Sequence, residues 1–362
     1  MKMVSALKWF HNWLGFVVTL TLLVALTTGV YLGIMDMIKR LDHQGQQFVP
    51  LTTAEKAVAL TELFARYPEM TTVRFPTEYS PFVQASMRGK TITLDNQLTP
   101  LSISEFSQRP LYSTLFWLHR NFLLADVGKY LNAWASLLAG AISLVGLYLW
   151  WRVRKGFRLR QTLPTNTRSS SLVKSHTQMG IFIALPLCVL CLTGFLITYK
   201  SLWTGYLTTP TPNTSYPLSQ ARDWHSQLTT AQALWPQATL VSVSKQGPAN
   251  GADKPSPMLY NVKFDQDADV WLRQADRINF NFDTGAMLSA QRHEDKPLSA
   301  QIASFVRPLH DGINMPTSYV ALITTVALLA MAMLLMSALT FYRRLVRQPA
   351  KATRNPANII AN

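Results

Sequence analysis

Four long segments of this chain contain no charged residue. They cover Leu14–Met35, Leu131–Trp151, Met179–Tyr199 and Tyr319–Tyr342 and are 22, 21, 21 and 24 residues long. About 20 apolar residues are enough for a helix to cross the hydrocarbon core of a bilayer. The pattern therefore predicts a membrane protein with a bundle of four transmembrane helices.

The two long segments between these spans, residues 36–130 and 200–318, have the mixed periodicities of small folded domains. Each shows a helical pattern, then an alternating pattern, then a turn flanked by strands. The predicted elements are helices over Thr52–Tyr67 and Leu218–Leu234, strand regions over Val73–Arg88 and Tyr260–Leu272, and strand-flanked turns at Ile92–Leu98 and Ile278–Leu288. A small α+β domain is the expectation for each segment.

The order of short motifs indicates that the chain consists of two copies of one unit. An H-x-x-x-G pattern and a Thr-Gly dipeptide recur at an offset of 165 residues, and a Leu-His dipeptide precedes the last span of each unit. The motifs are His11 and Gly15, Thr28-Gly29 and Leu118-His119 in the first copy, and His176 and Gly180, Thr193-Gly194 and Leu309-His310 in the second. Internal repeats are common in membrane folds.

Basic residues are concentrated in three short segments beside the spans. The start of the chain, the connection between spans two and three, and the end of the chain together hold 14 Lys and Arg and no Asp or Glu. Short loops rich in Lys and Arg stay on the cytoplasmic side. Both termini are therefore expected in the cytoplasm and both long segments outside. Charge spread over three juxtamembrane segments fits a lipid bilayer and argues against nucleic acid as a partner.

Together these patterns predict an order of regions along the chain. They are transmembrane helix 1 with a cytoplasmic N-terminus (1–36), an external domain (37–113), an interfacial segment with transmembrane helix 2 (114–152), a cytoplasmic basic loop (153–174), transmembrane helix 3 (175–200), a second external domain (201–303), an interfacial segment with transmembrane helix 4 (304–343) and a cytoplasmic tail (344–362).

Four of the seven histidines lie near the ends of the spans. In the alternating topology, His11 and His176 fall at the cytoplasmic ends of spans one and three. His119 and His310 precede spans two and four on the external side, so either those helices extend outward or a short interfacial helix folds back. Each membrane face thus receives one histidine from each copy. The alternative to ligand binding is that the four histidines are polar side chains at the membrane interface that bind nothing.

Two imidazoles at one site restrict the ligand. Zinc normally takes four protein ligands, or three and a water, whereas a porphyrin supplies four nitrogens and leaves two axial positions for histidines. The chain has no C-x-x-C-H motif for covalent attachment. We therefore predict two non-covalent haem b groups, one held by His11 and His176 and one by His119 and His310. Gly15 and Gly180 leave room for the macrocycle or a neighbouring backbone, and Arg120 and Arg307 are candidate partners of the propionates or of lipid phosphates.

The order of these motifs resembles the PepSY-associated transmembrane helix family, often described as iron-regulated inner-membrane proteins. The resemblance covers nearly the whole chain and rests on residues 9–15 (WFHNWLG), the two Leu-His dipeptides, Trp150-Trp151-Arg152 and the Asp283-Thr-Gly285 turn. Members of that family include ferric-siderophore reductases with haem b in a four-helix bundle and periplasmic PepSY domains. The resemblance implies two PepSY-like external domains and the same class of activity here. His119 departs from the pattern, because it is followed by Arg120-Asn121, whereas His310 is followed by Asp311-Gly312.

The function expected from these features is electron transfer across a bacterial inner membrane, with reduction of a ferric siderophore that releases Fe(II). The chain has no dinucleotide-binding or Walker-type glycine motif, so a cytoplasmic flavoprotein or membrane quinol would supply the electrons. Two alternatives are a non-catalytic PepSY module that binds a periplasmic partner and a transporter of siderophore or metal. Spans without Asp, Glu, Lys or Arg argue against the transporter.

Overall fold

The computed structural model describes residues 2–42, 48–77, 80–206, 223–246, 259–266, 275–281 and 284–346. Asp283 of the predicted turn, the first residues of the predicted helix Leu218–Leu234, the end of the predicted strand Tyr260–Leu272 and most of the predicted cytoplasmic tail lie outside these residues.

The described residues form helices and strands in two corresponding series. The helices are α1 (Lys2–Leu41), α2 (Thr53–Arg66), α3 (Pro110–Asn121), α4 (Ala125–Val153), α5 (Ser169–Thr198), α6 (Lys200–Tyr206), α7 (Trp224–Leu234), α8 (Leu298–Asp311) and α9 (Thr317–Val346). The strands are β1 (Thr72–Arg74), β2 (Val83–Met87), β3 (Lys90–Leu94), β4 (Pro100–Glu105), β5 (Thr239–Gln246), β6 (Leu259–Asp265), β7 (Ala275–Asn281) and β8 (Met287–Gln291). Short 3₁₀ turns at Arg154–Gly156 and Leu159–Gln161 connect α4 to α5.

Among the described residues, helices α1, α4, α5 and α9 contain four segments that are long and apolar enough to cross a membrane. Large apolar side chains such as Leu20 (72 % exposed) and Leu185 (60 % exposed) point away from the bundle. Such exposure is expected where lipid, rather than water, surrounds a helix. The prediction of a membrane protein with four candidate spans is confirmed.

The four long helices pack in a ring. Helix α4 packs against α1 and α5, and α9 also packs against α1 and α5. The corresponding helices α1 and α5 therefore lie diagonally across the bundle, as do α4 and α9. A buried layer from all four helices fills the centre; it includes Leu22, Ile142, Ile183 and Val326. This arrangement directs equivalent faces of the two halves toward one another, which is how bundles build internal sites.

Short helices precede the second and fourth spans, so of the two possibilities open from the sequence the folded-back helix is the one observed. Helix α3 ends at Asn121, and the backbone then reverses through Phe122, Leu123 and Ala125, all with positive φ. Helix α8 ends at Asp311 and is capped by Gly312, whose φ of 72° is a conformation that favours glycine. Helices α3 and α8 pack back against α1 and α5 respectively.

The two long segments between the spans lie outside the helix bundle and are called external in that sense. Their described strands form one antiparallel sheet of eight strands, in the order β4-β3-β2-β1-β5-β6-β7-β8. The sheet is continuous because β1 pairs with β5, with Val73 opposite Val243. Both valines are completely buried. Without this pairing each strand would present an unpaired edge of backbone N–H and C=O groups.

One hydrophobic core serves both external segments. Helices α2 and α7 pack against each other, and their Leu60, Leu63 and Leu228 are fully buried in the same cluster as the central strands. Phe64 and Trp224 stack across this contact with ring centres 5.5 Å apart. The sequence predicted a separate small domain in each half; the structure differs, since pairing of β1 with β5 joins the two into one domain.

Lys56 of α2 is a buried cation that should lower the stability of this domain. Its side chain is buried, with Nζ 5.7 Å from the centre of the Phe75 ring, and burial lowers the pKa of Lys56 from 10.5 to about 8. The Lys56 amine binds its proton more tightly in the unfolded chain than in the folded one. The free energy of unfolding should therefore rise with pH between about 8 and 10.5.

We expect Lys56→Met to raise the free energy of unfolding at pH 7 by about 1–3 kcal/mol, because methionine occupies the site without a charge. Thermal unfolding of the detergent-solubilised protein measures the change. Arg88→Met, at an exposed position of the same domain, is the control and should change little. A lower unfolding temperature for Lys56→Met at pH 7 would contradict the expectation.

Candidate functional site

The structure brings the four span-associated histidines together as two pairs inside the bundle. The ring centres of His11 and His176 are 6.1 Å apart, with planes inclined by 72°. Those of His119 and His310 are 6.2 Å apart, with planes inclined by 46°. These are the two pairs expected from the alternating topology, each with one histidine from each half. His11 and His176 lie inside α1 and α5 rather than at their first residues, because the helices begin at Lys2 and Ser169.

The two pairs lie at different depths of the bundle. On α1, the level of His119 is marked by its contact with the Ala25 carbonyl; on α5, the level of His310 is marked by Leu190. Ala25 follows His11, and Leu190 follows His176, by the same distance along the chain. At 1.5 Å per residue, the pairs are about 20 Å apart along the bundle axis.

His119 and His310 lie on the short helices that follow the sheet, α3 and α8, and are called the outer histidines for that reason. They are held by equivalent contacts in the two halves. Nδ1 of His119 lies 2.8 Å from the Ala25 carbonyl oxygen and 3.1 Å from the Thr28 hydroxyl. Nδ1 of His310 lies 3.1 Å from the Leu190 carbonyl oxygen and from the Thr193 hydroxyl. An Nδ1–H group that donates to a carbonyl fixes the orientation of the ring and leaves Nε2 as the free base.

The Thr-Gly dipeptides let these rings approach the helix backbone. A Cβ atom placed on Gly29 would lie 3.2 Å from Cε1 of His119, and one on Gly194 would lie 3.2 Å from Cε1 of His310. Each glycine thus has a specific partner, the histidine ring of α3 for Gly29 and that of α8 for Gly194.

The inner histidines, His11 and His176, have related but not identical supports. Nδ1 of His11 lies 3.2 Å from the Ile142 carbonyl oxygen, and a Cβ atom on Gly146 would lie only 2.9 Å from Cε1 of His11. Nδ1 of His176 lies 2.9 Å from the Ser337 hydroxyl. Ser337 occupies the position of Gly146, counted from the Leu-His dipeptide of each half. Sequence reasoning missed both residues, although that equal offset is a signal that finds them.

The four rings share one arrangement of donors and acceptors. Each uses Nδ1 toward a protein oxygen, and among the described residues none forms a hydrogen bond through Nε2. His119 and His310 belong to α3 and α8, which are not candidate spans. Burial lowers the pKa of His119 to about 4 and also lowers the pKa of His310. These two rings are therefore neutral near pH 7, the state in which an imidazole ligates a metal.

The other residues proposed as binding groups lie in different settings. A Cβ atom on Gly15 or Gly180 would meet nothing within 4 Å, so both glycines border open space rather than a neighbouring backbone. Arg307 is exposed and pairs with Asp311 at 2.9 Å, and the Arg120 guanidinium lies 5.4 Å from the Trp117 ring centre. Contact of either arginine with haem propionates stays a prediction.

Three polar residues that sequence reasoning missed hold the turns after the outer histidines. Asn132 donates to the His119 carbonyl at 2.7 Å, and the Tyr319 hydroxyl donates to the Leu309 carbonyl at 2.6 Å. Arg40 donates to the carbonyls of Gly312 and Met315. Asn132 was detectable, because it is an amide at the start of an otherwise apolar span.

A comparison of the sequence with protein families found a match over most of the chain. The family described as the PepSY-associated TM region matches residues 8–348. The chain belongs to this family. No curated protein matches this sequence. In this PepSY-associated TM protein the match includes both histidine pairs and the eight-stranded sheet.

Among the described residues of this PepSY-associated TM protein, no group of three or more His, Cys, Asp or Glu side chains is placed to hold a metal ion. Each candidate site in the bundle is thus a pair of imidazoles. Such a pair suits a metal whose other ligands come from a planar macrocycle.

Proposed function

We propose that this protein is a di-haem b electron-transfer protein of a bacterial inner membrane, with one haem between His11 and His176 and one between His119 and His310. The observation that carries the proposal is the separation of the rings. With a metal–nitrogen distance of about 2.0 Å and a ring nitrogen about 1.1 Å from the ring centre, two imidazoles on one metal have centres about 6 Å apart. Both pairs have this spacing, 6.1 and 6.2 Å.

The surroundings of the rings support the same ligand. The Nδ1 contacts hold each imidazole in one orientation, so little side-chain freedom is lost when Nε2 binds iron. Open space beside Gly15 and Gly180 lies one helical turn from His11 and His176, on the same helix face. When bound, haem supplies one-electron oxidation and reduction.

The protein between the two pairs would insulate the sites from water. Leu22, Ile183 and Val326 form part of a buried apolar layer at that depth. A dry layer prevents a water-soluble reductant from reaching the outer pair directly, and two sites about 20 Å apart divide the thickness of the membrane. Electrons therefore need both sites in order to cross.

The direction of transfer follows from the distribution of basic residues, which places the inner pair near the cytoplasm. A cytoplasmic flavoprotein or membrane quinol would be the donor. The external sheet, interpreted as two fused PepSY-like domains, would receive a ferric siderophore. Reduction to Fe(II) weakens binding by hard oxygen ligands, which releases the metal.

A purified sample tests this proposal directly. From cells supplied with a haem precursor, we expect a red protein with two haems per chain by pyridine haemochrome assay and with spectra that change on addition of dithionite. The reduced protein should be reoxidised by a ferric siderophore and not by the same siderophore loaded with redox-inactive Ga(III). A colourless protein would refute the proposal and favour a binding module. A haem protein that ferric chelates do not reoxidise would refute the assignment of the acceptor.

A further inference from the structure

A cavity of about 290 Å³ lies where the external sheet meets α3, the helix that carries His119. Its wall includes Lys90 and Thr91 of β3, Ser104 of β4, Phe106 and Arg109 just before α3, and Tyr112 in the first turn of α3. It is partly open to solvent. Ligand pockets for drug-sized molecules start at about 300 Å³, so this cavity suits one arm of a larger molecule.

Arg109 is a positively charged residue of the cavity wall whose charge no described carboxylate neutralises. The carboxylate in the adjoining strand, Glu105, pairs with Lys90 at 3.3 Å. Two further carboxylates near Tyr112 are paired elsewhere: Asp36 with Arg40 at 2.7 Å and Asp311 with Arg307 at 2.9 Å. Among the described residues Arg109 has no carboxylate partner, and its guanidinium lies 5.2 Å from the centre of the Tyr112 ring. A free guanidinium beside an open cavity favours an anionic ligand.

The remaining wall combines hydroxyl groups with aromatic rings. Thr91, Ser104 and Tyr112 carry hydroxyls at the cavity. Burial raises the pKa of the Tyr112 hydroxyl, so this group keeps its proton and can donate a hydrogen bond. The Phe106 and Tyr112 rings meet edge to face, 6.1 Å between centres. Such walls suit a planar aromatic group with oxygen substituents.

The cavity is close to the outer histidine pair. Tyr112 and His119 are two helical turns apart on the same face of α3, which places them about 10 Å apart along the helix axis. Aromatic rings fill the interval: Phe106 contacts Phe116 at 5.5 Å, and Phe116 contacts Trp117 at 5.4 Å.

The described residues at the equivalent positions of α8 do not supply such a wall. Counted from the Leu-His dipeptides, the positions of Arg109 and Tyr112 correspond to Ala300 and Ala303 on α8. Alanine supplies neither a charge nor a hydroxyl. The halves are therefore equivalent in their histidines and different in this cavity, as expected if one external ligand approaches the outer pair from one side.

We propose that this cavity binds one anionic aromatic arm of the ferric chelate, an aryl group with carboxylate or phenolate oxygens, through Arg109 and the Tyr112 hydroxyl. This inference rests on the proposed function, because it assigns the class of acceptor and the place where it docks. Recognition combines a charge-assisted hydrogen bond to Arg109 with contact of the ligand ring against Phe106.

The test is binding of 2,3-dihydroxybenzoate to the purified full-length protein by isothermal titration calorimetry, with neutral catechol as the comparison probe. We expect 2,3-dihydroxybenzoate to bind more tightly than catechol. Arg109→Ala should weaken its binding at least tenfold, because a hydrogen bond to a charged group contributes about 1.5–3 kcal/mol. Arg109→Lys should restore part of the affinity, and Arg88→Ala, an exposed cation on the neighbouring turn, should leave it unchanged.

Equal binding by the wild type and Arg109→Ala, tighter binding of catechol than of 2,3-dihydroxybenzoate, or no binding at all would overturn the inference. The His119→Ala variant separates it from the proposed function. That variant should still bind 2,3-dihydroxybenzoate, since the histidine is not part of the cavity wall, even though its haem content should fall. A protein that contains haem but does not bind 2,3-dihydroxybenzoate would refute only the inference. A colourless protein that does bind it would refute only the proposed function.

Discussion

Replacing His176 by alanine should lower the haem content from two per chain to one. The remaining haem should be the one at the outer pair, because His119 and His310 are supported by different helices and backbone carbonyls. Loss of one axial imidazole also leaves an open position on any haem retained at the inner site, which changes its absorption spectrum. Pyridine haemochrome assay and reduced-minus-oxidised spectra measure both effects.

The pattern across variants tests the pairing itself. His11→Ala should reproduce the spectrum of His176→Ala, whereas His119→Ala and His310→Ala should share a second, different spectrum. His225→Ala, in an exposed position of the external domain, should retain both haems. The haem retained in each variant reports that the bundle has folded. Matching spectra for His11→Ala and His119→Ala would contradict the pairs that the structure brings together.

Gly146→Val should remove the inner haem without any change to a histidine. A Cβ atom at position 146 would lie 2.9 Å from Cε1 of His11, closer than real Cβ contacts, and valine is branched at that atom. Because α4 carries Gly146 and α1 carries His11, either the ring turns away or the two helices separate. We expect the haem content to fall from two to about one per chain, as in His11→Ala.

Gly156→Val is the matched control, since a Cβ atom there meets nothing within 4 Å. It should retain both haems. Retention of a normal inner haem spectrum by Gly146→Val would show that the close approach of His11 to α4 is not required. Loss of both haems would indicate that the substitution disrupts the whole bundle rather than one site.

The external sheet shows where sequence patterns stop being informative. The alternation around Val73–Arg88 predicted strand structure, and the structure divides it between β1 and β2. Strand β5 was not predicted, and β4 was predicted only as a strand without bounds that follows the turn at Ile92–Leu98. Strand β4 is exposed along nearly its whole length, although Leu101 and Ile103 alternate with serines in its sequence. No local pattern identifies β5 as the partner of β1, because pairing between distant strands depends on the whole sheet.

The candidate site also contains residues that sequence patterns reveal and residues that they do not. The four histidines and the Thr-Gly dipeptides were detectable because they recur at fixed offsets in the two halves. Gly146 and Ser337 were missed because they differ in residue type, although they share one offset from the Leu-His dipeptides. Arg109 became informative only when the structure showed which nearby carboxylates were already paired.

The sequence by itself determined that this is a membrane protein with four candidate spans and repeat-related histidines, because these properties depend on local hydrophobicity and on spacing. Only the tertiary structure decided that α1 and α5 face each other across the bundle and that the ring centres lie about 6 Å apart. It also decided that two predicted domains share one sheet. Those facts depend on contacts between residues far apart in the chain, and such contacts are set by packing of the whole molecule rather than by any single segment.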